Sequence, residues 1–337
     1  MANITLGVIG YGYWGPNIVR NFFNTPNCTV KSVADGRPER LAVLAKVFPT
    51  IAGISKGEDI INDPTIDAVV IATPVFTHFK LAKAALLQGK HVLIEKPMTS
   101  TVAEAEELIN IAEQKGLTLM ADHTFLYTGA VQKMKELIDT GTVGSPHYFD
   151  SSRINLGLFQ PDVNVLWDLA PHDISILTYL VTEVPVSINA TGISHTRNAV
   201  ENIAYMTVNY GSDFIAHFNC SWSSPVKVRQ TLIGGDKKMI VYNDLEPSEK
   251  VRVYDTGFSH RTEEDKTRIM VDYRTGDVFI PKLSSMEALA GVAKDFTQSI
   301  IEKKKPLANA HLGMQVVKIL EASQVSIKNN GKEVKIS

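Results

Sequence analysis

Ile4-Thr5-Leu6-Gly7-Val8-Ile9-Gly10-Tyr11-Gly12-Tyr13-Trp14-Gly15-Pro16 decides the fold of this 337-residue chain. The apolar run Ile4–Ile9 reads as a buried strand, the glycines as a tight turn, and the stretch from Pro16 to Phe23 as a helix. A turn of this kind carries backbone N–H groups to the positive end of a helix, where a pyrophosphate can sit. Gly10 permits the turn, Gly12 lets a ligand approach the backbone, and Gly15 lets helix and strand pack closely. Pro16 suits the first helical turn, where its missing N–H costs little.

A second strand-like run, Cys28 to Ala34, ends in Asp35. That acid lies about 20 residues beyond the last glycine, the spacing at which a dinucleotide site places a carboxylate for the adenosine ribose hydroxyls. A carboxylate there repels a 2′-phosphate, so NAD is expected rather than NADP. Arg37 and Arg40 stand close enough in sequence to offset that repulsion.

Strand and helix patterns alternate up to about Asp122. Asp67–Thr73 is a short buried strand with Ala68-Val69-Val70-Ile71 continuous, Phe76–Gln88 a helix stopped by Gly89, and His91–Glu95 another strand. Thr101 and Glu104 form a capping box that opens a helix running to Gly116, and Leu117–Ala121 closes the series. Such alternation predicts an α/β domain over residues 1–122, a doubly wound parallel sheet that binds ligands at its strands' carboxyl ends. Residues 123–337 read as an α+β domain with a large, mostly antiparallel open sheet, helices near Leu169–Leu180 and Ser285–Glu302, and a helical run from His311 to Ile327. The charged stretch Arg261–Arg268 reads as a solvated loop.

A formal net charge of −2 gives no field that would draw the chain to nucleic acid or to an anionic membrane. Its two cysteines, Cys28 and Cys220, lie in apolar runs and imply no disulfide framework. No leader pattern and no long apolar span is evident, so the expected compartment is the cytoplasm. His147, His195, His217 and His260 do not fall into a ligand spacing, and no metal is expected.

Four further groups carry chemistry. Glu95-Lys96-Pro97 ends a buried strand, and its ammonium can polarise a substrate oxygen or bond a ribose; equally, Lys96 can be a surface lysine. Asp168 and His172 stand four residues apart, so on a helix they share a face, and the carboxylate can orient an imidazole that takes a hydroxyl proton. Asp168 as a helix cap and His172 as a core residue are the plain alternatives. Thr73-Pro74 with His78 forms a turn after a strand, where adenine or ribose contacts occur, although His78 can also be a helix-surface residue. Arg153, Asn155, Asn164 and Trp167 offer hydrogen bonds and a stacking face to a polyhydroxylated ligand.

Together, Gly10-x-Gly12-x-x-Gly15, Thr73-Pro74 with His78, Glu95-Lys96-Pro97 and Asp168-x-x-x-His172 resemble the Gfo/Idh/MocA oxidoreductase family over essentially the whole chain. The resemblance implies a Rossmann domain followed by an open-sheet domain, and redox chemistry at a hydroxyl or keto carbon of a sugar or cyclitol. It implies Lys96 and His172 as catalytic, with Asp168 as the partner of His172. Cofactor contacts fall on Gly10, Gly12, Tyr13, Trp14, Gly15, Asp35, Thr73, Pro74, His78, Glu95 and Lys96. Substrate contacts fall on Lys96, Arg153, Asn155, Asn164, Trp167, Asp168 and His172. Arg153–Gln160 and Asn164–His172 look most like a narrower group, the UDP-N-acetylglucosamine and UDP-N-acetylglucosaminuronate 3-dehydrogenases. One departure stands out: Asn164-Val165-Leu166-Trp167 occupies the place of a glycine-rich run in many members, and Trp167 should reshape the pocket. A free sugar or inositol dehydrogenase, an NADP-dependent ketoreductase and a non-catalytic nucleotide sensor are the alternatives. A homodimer or homotetramer packed through the second domain is expected.

Overall fold

The computed structural model describes residues 3–157, 159–160, 163–197, 200–259 and 272–336. The expected loop Arg261–Arg268 lies outside them. The described chain divides into two compact units, one of Met1–Tyr127 with Met286–Lys318, the other of Thr128–Ser285 with Ile319–Ser337.

The first unit is built on β1 (Ile4–Ile9), α1 (Gly15–Phe23), β2 (Cys28–Ala34), α2 (Pro38–Val47), β3 (Ala52–Ile54), α3 (Gly57–Asn62), β4 (Ala68–Ile71), α4 (Val75–Leu87), β5 (His91–Glu95), α5 (Val102–Lys115) and β6 (Leu119–Asp122). The strands form one sheet in the order β3-β2-β1-β4-β5-β6, every pairing parallel. β1 lies between β2 and β4, so the strand order reverses beside it. Such a reversal opens the crevice that doubly wound sheets use for ligands. Continuous apolar runs such as Ala68–Ile71 are fully buried, as a sheet covered on both faces requires. The capping box at Thr101 forms as the sequence predicts, and Gly116 ends α5 with φ of +65°.

A single boundary at 122/123 does not describe the packing. Met286–Lys318 returns to the first unit, because a helix there (Ala288–Glu302) buries Leu289, Val292 and Phe296. Phe296 meets Phe22 of α1 edge-on, and Glu287 receives a paired grip from Arg20 at 2.6 and 3.0 Å.

The second unit holds α6 (Gly129–Asp139), β7 (Pro146–Leu156), α7 (Val165–Leu180), β8 (Pro185–Ile193), β9 (Ile203–Tyr210), β10 (Ile215–Ser221), β11 (Ser223–Gly235), β12 (Met239–Asn243) and β13 (Val251–Tyr254). Among the described residues, these strands and four short ones later in the chain (Gly257–Ser259, Asp272–Arg274, Val278–Phe279 and Val334–Lys335) make a sheet of nine and a separate pair. Within the nine, the β7–β10 pairing is parallel and the others antiparallel. α7 contacts β7, β9 and β10. It buries Val165, Leu166, Ala170, Ile174 and Leu177. Among the described residues, no helix is long and apolar enough to cross a membrane.

Candidate active site

In the first unit, the turn after β1 is held from below. Gly10 donates its N–H to Ala34 O at 2.8 Å and has φ of +104°. A Cβ there would lie 2.3 Å from Ala72 O, and one on Gly15 would lie 2.6 Å from Gly10 O. A Cβ on Gly12 would meet only Arg37 Nη2, at 3.6 Å, so the outer side of the turn is open to a ligand. α1 begins at Gly15 with no acid in its first turn, which leaves its positive end uncompensated by the helix's own side chains. These features fit the pyrophosphate of a dinucleotide. Tyr13 and Trp14 extend outward, 85% and 47% exposed, with their rings edge-to-face at 5.6 Å.

Asp35 is turned inward. Its Oδ2 accepts the Tyr11 N–H at 2.9 Å, so the carboxylate braces the glycine turn. Arg37 donates Nε to Oδ1 and Nη2 to Oδ2, both at 2.9 Å, and its backbone N–H to Oδ1 at 3.0 Å. These bonds, that of the Arg37 side chain foremost, hold the Asp35 carboxyl down at about 2. The free carboxylate expected from spacing is therefore half of an ion pair whose arginine is the exposed partner.

Thr73 and Pro74 lead into α4. The Thr77 hydroxyl donates to Pro74 O at 2.7 Å and shares a 2.6 Å bond with the Thr73 hydroxyl. His78 is buried rather than on the helix surface. Nε2 faces Thr73 O at 2.7 Å and Nδ1 faces Pro97 O at 3.0 Å. It ties the β4 turn to the segment after β5 and takes both nitrogens away from a cofactor. Glu95 is partly buried, and its Oε2 accepts the Lys96 N–H at 2.9 Å. Beside it, β6 ends in Asp122, followed by His123, both buried. These two belong to none of the motifs, although a polar pair directly after Leu119-Met120-Ala121 is itself a signal.

In the second unit, α7 starts at Val165, four residues before the expected Leu169, because Asn164 caps it. The Asn164 Oδ1 accepts the N–H groups of Leu166 and Trp167 at 3.1 Å each. Its Nδ2 donates to Glu201 at 3.1 Å and to Gln324 at 2.8 Å, so the polar atoms expected to meet substrate hold a helix end instead. Arg153 differs from expectation for a similar reason. It is buried, and its guanidinium makes two 2.7 Å bonds to Asp173. Burial alone would pull the guanidinium down, but the Asp173 charge and bonds hold it above its ordinary value. Asn155 lies partly buried on β7.

Asp168 and His172 lie one turn apart on α7, both partly buried, with Trp167 beside them. Asp168 is not the cap. Its Oδ2 accepts the Trp222 Nε1–H at 3.0 Å, so a buried indole from the single residue between β10 and β11 fixes the carboxylate. Trp222 carries no motif and was not anticipated. Among the described residues, no three His, Cys, Asp or Glu side chains gather as a metal-binding set.

Residues 4–123 match the oxidoreductase family with an NAD-binding Rossmann fold, Gfo/Idh/MocA, and residues 131–241 match the C-terminal domain of the same family. The uncharacterized oxidoreductase YdgJ of Escherichia coli K12 is 36% identical over 190 residues, 50% of this chain and 51% of that one. The UDP-N-acetylglucosamine 3-dehydrogenase of Acidithiobacillus ferrooxidans is 31% identical over 221 residues, 63% of this chain and 66% of that one. The matched stretches thus span between half and two thirds of these relatives. The solved structure of the Acidithiobacillus ferrooxidans enzyme GnnA superposes with a TM-score of 0.82 at 23% identity, covering 98% of this chain and 100% of the other. With both of its domains matched in order, the chain belongs to the Gfo/Idh/MocA oxidoreductase family.

Proposed function

We propose that this chain is an NAD-dependent dehydrogenase acting on a secondary hydroxyl of a sugar, at C3 of a UDP-linked N-acetylated amino sugar or of its uronic acid, in surface-polysaccharide biosynthesis. The observation that carries the reading is Asp168 with His172 one helical turn apart on α7 of the second unit, and in the first unit, taken by itself, the open glycine turn is accompanied by Lys96 directly after β5. The likeness to a UDP-N-acetylglucosamine 3-dehydrogenase supports the substrate class.

Bound nicotinamide supplies the hydride acceptor at its C4. Gly10, Gly12 and the start of α1 hold the pyrophosphate, and Asp35 with Arg37 borders the adenosine ribose. The His172 imidazole takes the hydroxyl proton as the carbonyl forms, and Asp168 stabilises the resulting imidazolium. The Lys96 ammonium stabilises the oxygen as it gains negative charge. Those two side chains can exchange roles without changing the balance of the reaction. Tyr148, Val186, Tyr205 and Ile215 lie exposed on the nine-stranded sheet, which supports a homodimer or homotetramer through that domain.

The test is NADH formation with a panel of UDP-sugars, free hexoses and inositols, using Lys96→Ala and His172→Ala beside the native chain. Turnover with the UDP-linked amino sugars, and loss of most kcat in both variants with NAD still bound, is the expected result. Native-like turnover in either variant sinks the assignment. Preference for free inositol or hexose moves the substrate to the runner-up class.

A further inference from the structure

β5 and β6 are neighbours in the parallel sheet, and their register sets Glu95 against Asp122 at the last residue of each strand. Side chains paired in this way point to the same face, and adjacent strands lie about 4.8 Å apart. Two carboxyls therefore share one small volume at the ligand-binding edge of the sheet. Glu95 accepts the Lys96 backbone N–H, and Asp122 Oδ1 accepts the Thr124 hydroxyl at 2.6 Å.

The neighbouring groups leave the pair short of positive charge. His123 is buried, and neither ring nitrogen has a hydrogen-bond partner among the described residues. Burial first, and then the Lys96 charge, push it down to about 3, so it stands there as a neutral ring. Tyr127, in the turn after β6, gives its hydroxyl proton to Asp295 of the helix Ala288–Glu302 at 2.7 Å. That leaves it no proton for Asp122. Lys96 is the cation that acts on both carboxyls. Two carboxylates so placed cannot both ionise cheaply against one ammonium.

We propose that Glu95 and Asp122 act as one positioning unit for Lys96: they hold a single proton between them, and the one remaining negative charge fixes the Lys96 ammonium at the end of β5. Protonation of both carboxyls removes the counter-charge, and ionisation of both pulls the ammonium back from a substrate oxygen. The inference rests on the role given to Lys96 above. Burial raises both groups, Glu95 to about 8 with the Asp122 charge adding to it, and Asp122 to about 6 against the Thr124 bond and Lys96. The shared proton is thus exchanged within the working range of pH.

The experiment follows the carboxylic acid C=O stretch of the full-length, cofactor-free protein by infrared titration, where ordinary carboxyls are already ionised above neutrality. The native chain should keep a protonated carboxyl at pH 7 and lose it on alkaline titration. In Asp122→Asn, which retains shape but removes the repelling charge, the midpoint should fall by at least about one pH unit. Glu95→Gln should abolish the alkaline phase. In NAD reduction with UDP-N-acetylglucosamine, the native kcat–pH profile should fall on the alkaline side as the second carboxyl ionises, and that fall should be absent in Asp122→Asn, where a second charge cannot form. No acid band at neutral pH overturns the proposal, as does an unmoved midpoint in a folded Asp122→Asn protein. A shifted band with an unmoved kcat profile overturns the positioning role. The infrared arm needs no substrate, so a chain with the shared proton and no turnover refutes the reaction rather than the pair.

Discussion

Arg37 grips the Asp35 carboxylate with two parallel bonds, each 2.9 Å, while the same carboxylate braces the Tyr11 N–H of the glycine turn. The pair has little net charge where a lone acid would repel a 2′-phosphate. Removing the guanidinium restores that repulsion. Arg37→Ala should therefore raise the ratio of kcat/KM for NAD over NADP by about tenfold, the equivalent of roughly 1 to 2 kcal/mol between partly screened charges. Steady-state kinetics with both cofactors measures it, and an unchanged ratio means that Arg37 does not face the ribose.

The Arg153–Asp173 bond pair belongs to stability rather than to substrate. Both side chains are at most 4% exposed, so removing one strands a buried charge. Arg153→Met or Asp173→Leu should each cost about 3 to 5 kcal/mol, whereas the double substitution should recover most of that loss. Urea unfolding of the three variants decides. A single variant with native stability and only a raised KM for sugar would return Arg153 to the binding site.

The glycines of the turn separate by what surrounds them. Gly10→Ala combines φ of +104° with a clash against Ala72 O and should destabilise the protein by about 2 to 3 kcal/mol. Gly12→Ala has space for its methyl and should melt close to the native temperature while losing NAD affinity. Thermal melts with and without NAD distinguish them. Normal cofactor affinity in Gly12→Ala would place the dinucleotide elsewhere.

Local pattern carried the parts of this architecture that depend on local physics. The β1 turn, the buried run Ala68–Ile71 and the Thr101 capping box follow from periodicity and short-range bonding, and each was legible. Which side chains pair was not, at short range or at long. Nothing near Asp35 says that Arg37 will fold back onto it rather than toward solvent. Arg153 and Asp173 are 20 residues apart, Asp168 and Trp222 54 apart, and Tyr127 and Asp295 168 apart. Polar residues near a motif read as ligand contacts until the fold supplies nearer partners. That is why Arg153, Asn164 and His78 were assigned outward and are bonded inward.

The same distinction between a charge and its partner governs how stability should vary with pH. In the unfolded chain, Glu95 ionises near its ordinary value of about 4.3. In the folded chain, burial and Asp122 hold it protonated up to about 8. Between those values the folded state binds a proton that the unfolded state has released, so this group lowers stability as pH rises. Below about 4.3 both states are protonated and the effect vanishes; above about 8 both are ionised and the loss is complete. Glu95→Gln has no proton to release. Its stability relative to the native chain should therefore climb between pH 5 and pH 8 and level off beyond. Taking the difference between the two proteins cancels His78, which burial also shifts and which titrates with the opposite slope. Denaturant midpoints at a series of pH values give the difference directly, and a flat difference would show that Glu95 is ionised in the folded protein at neutral pH.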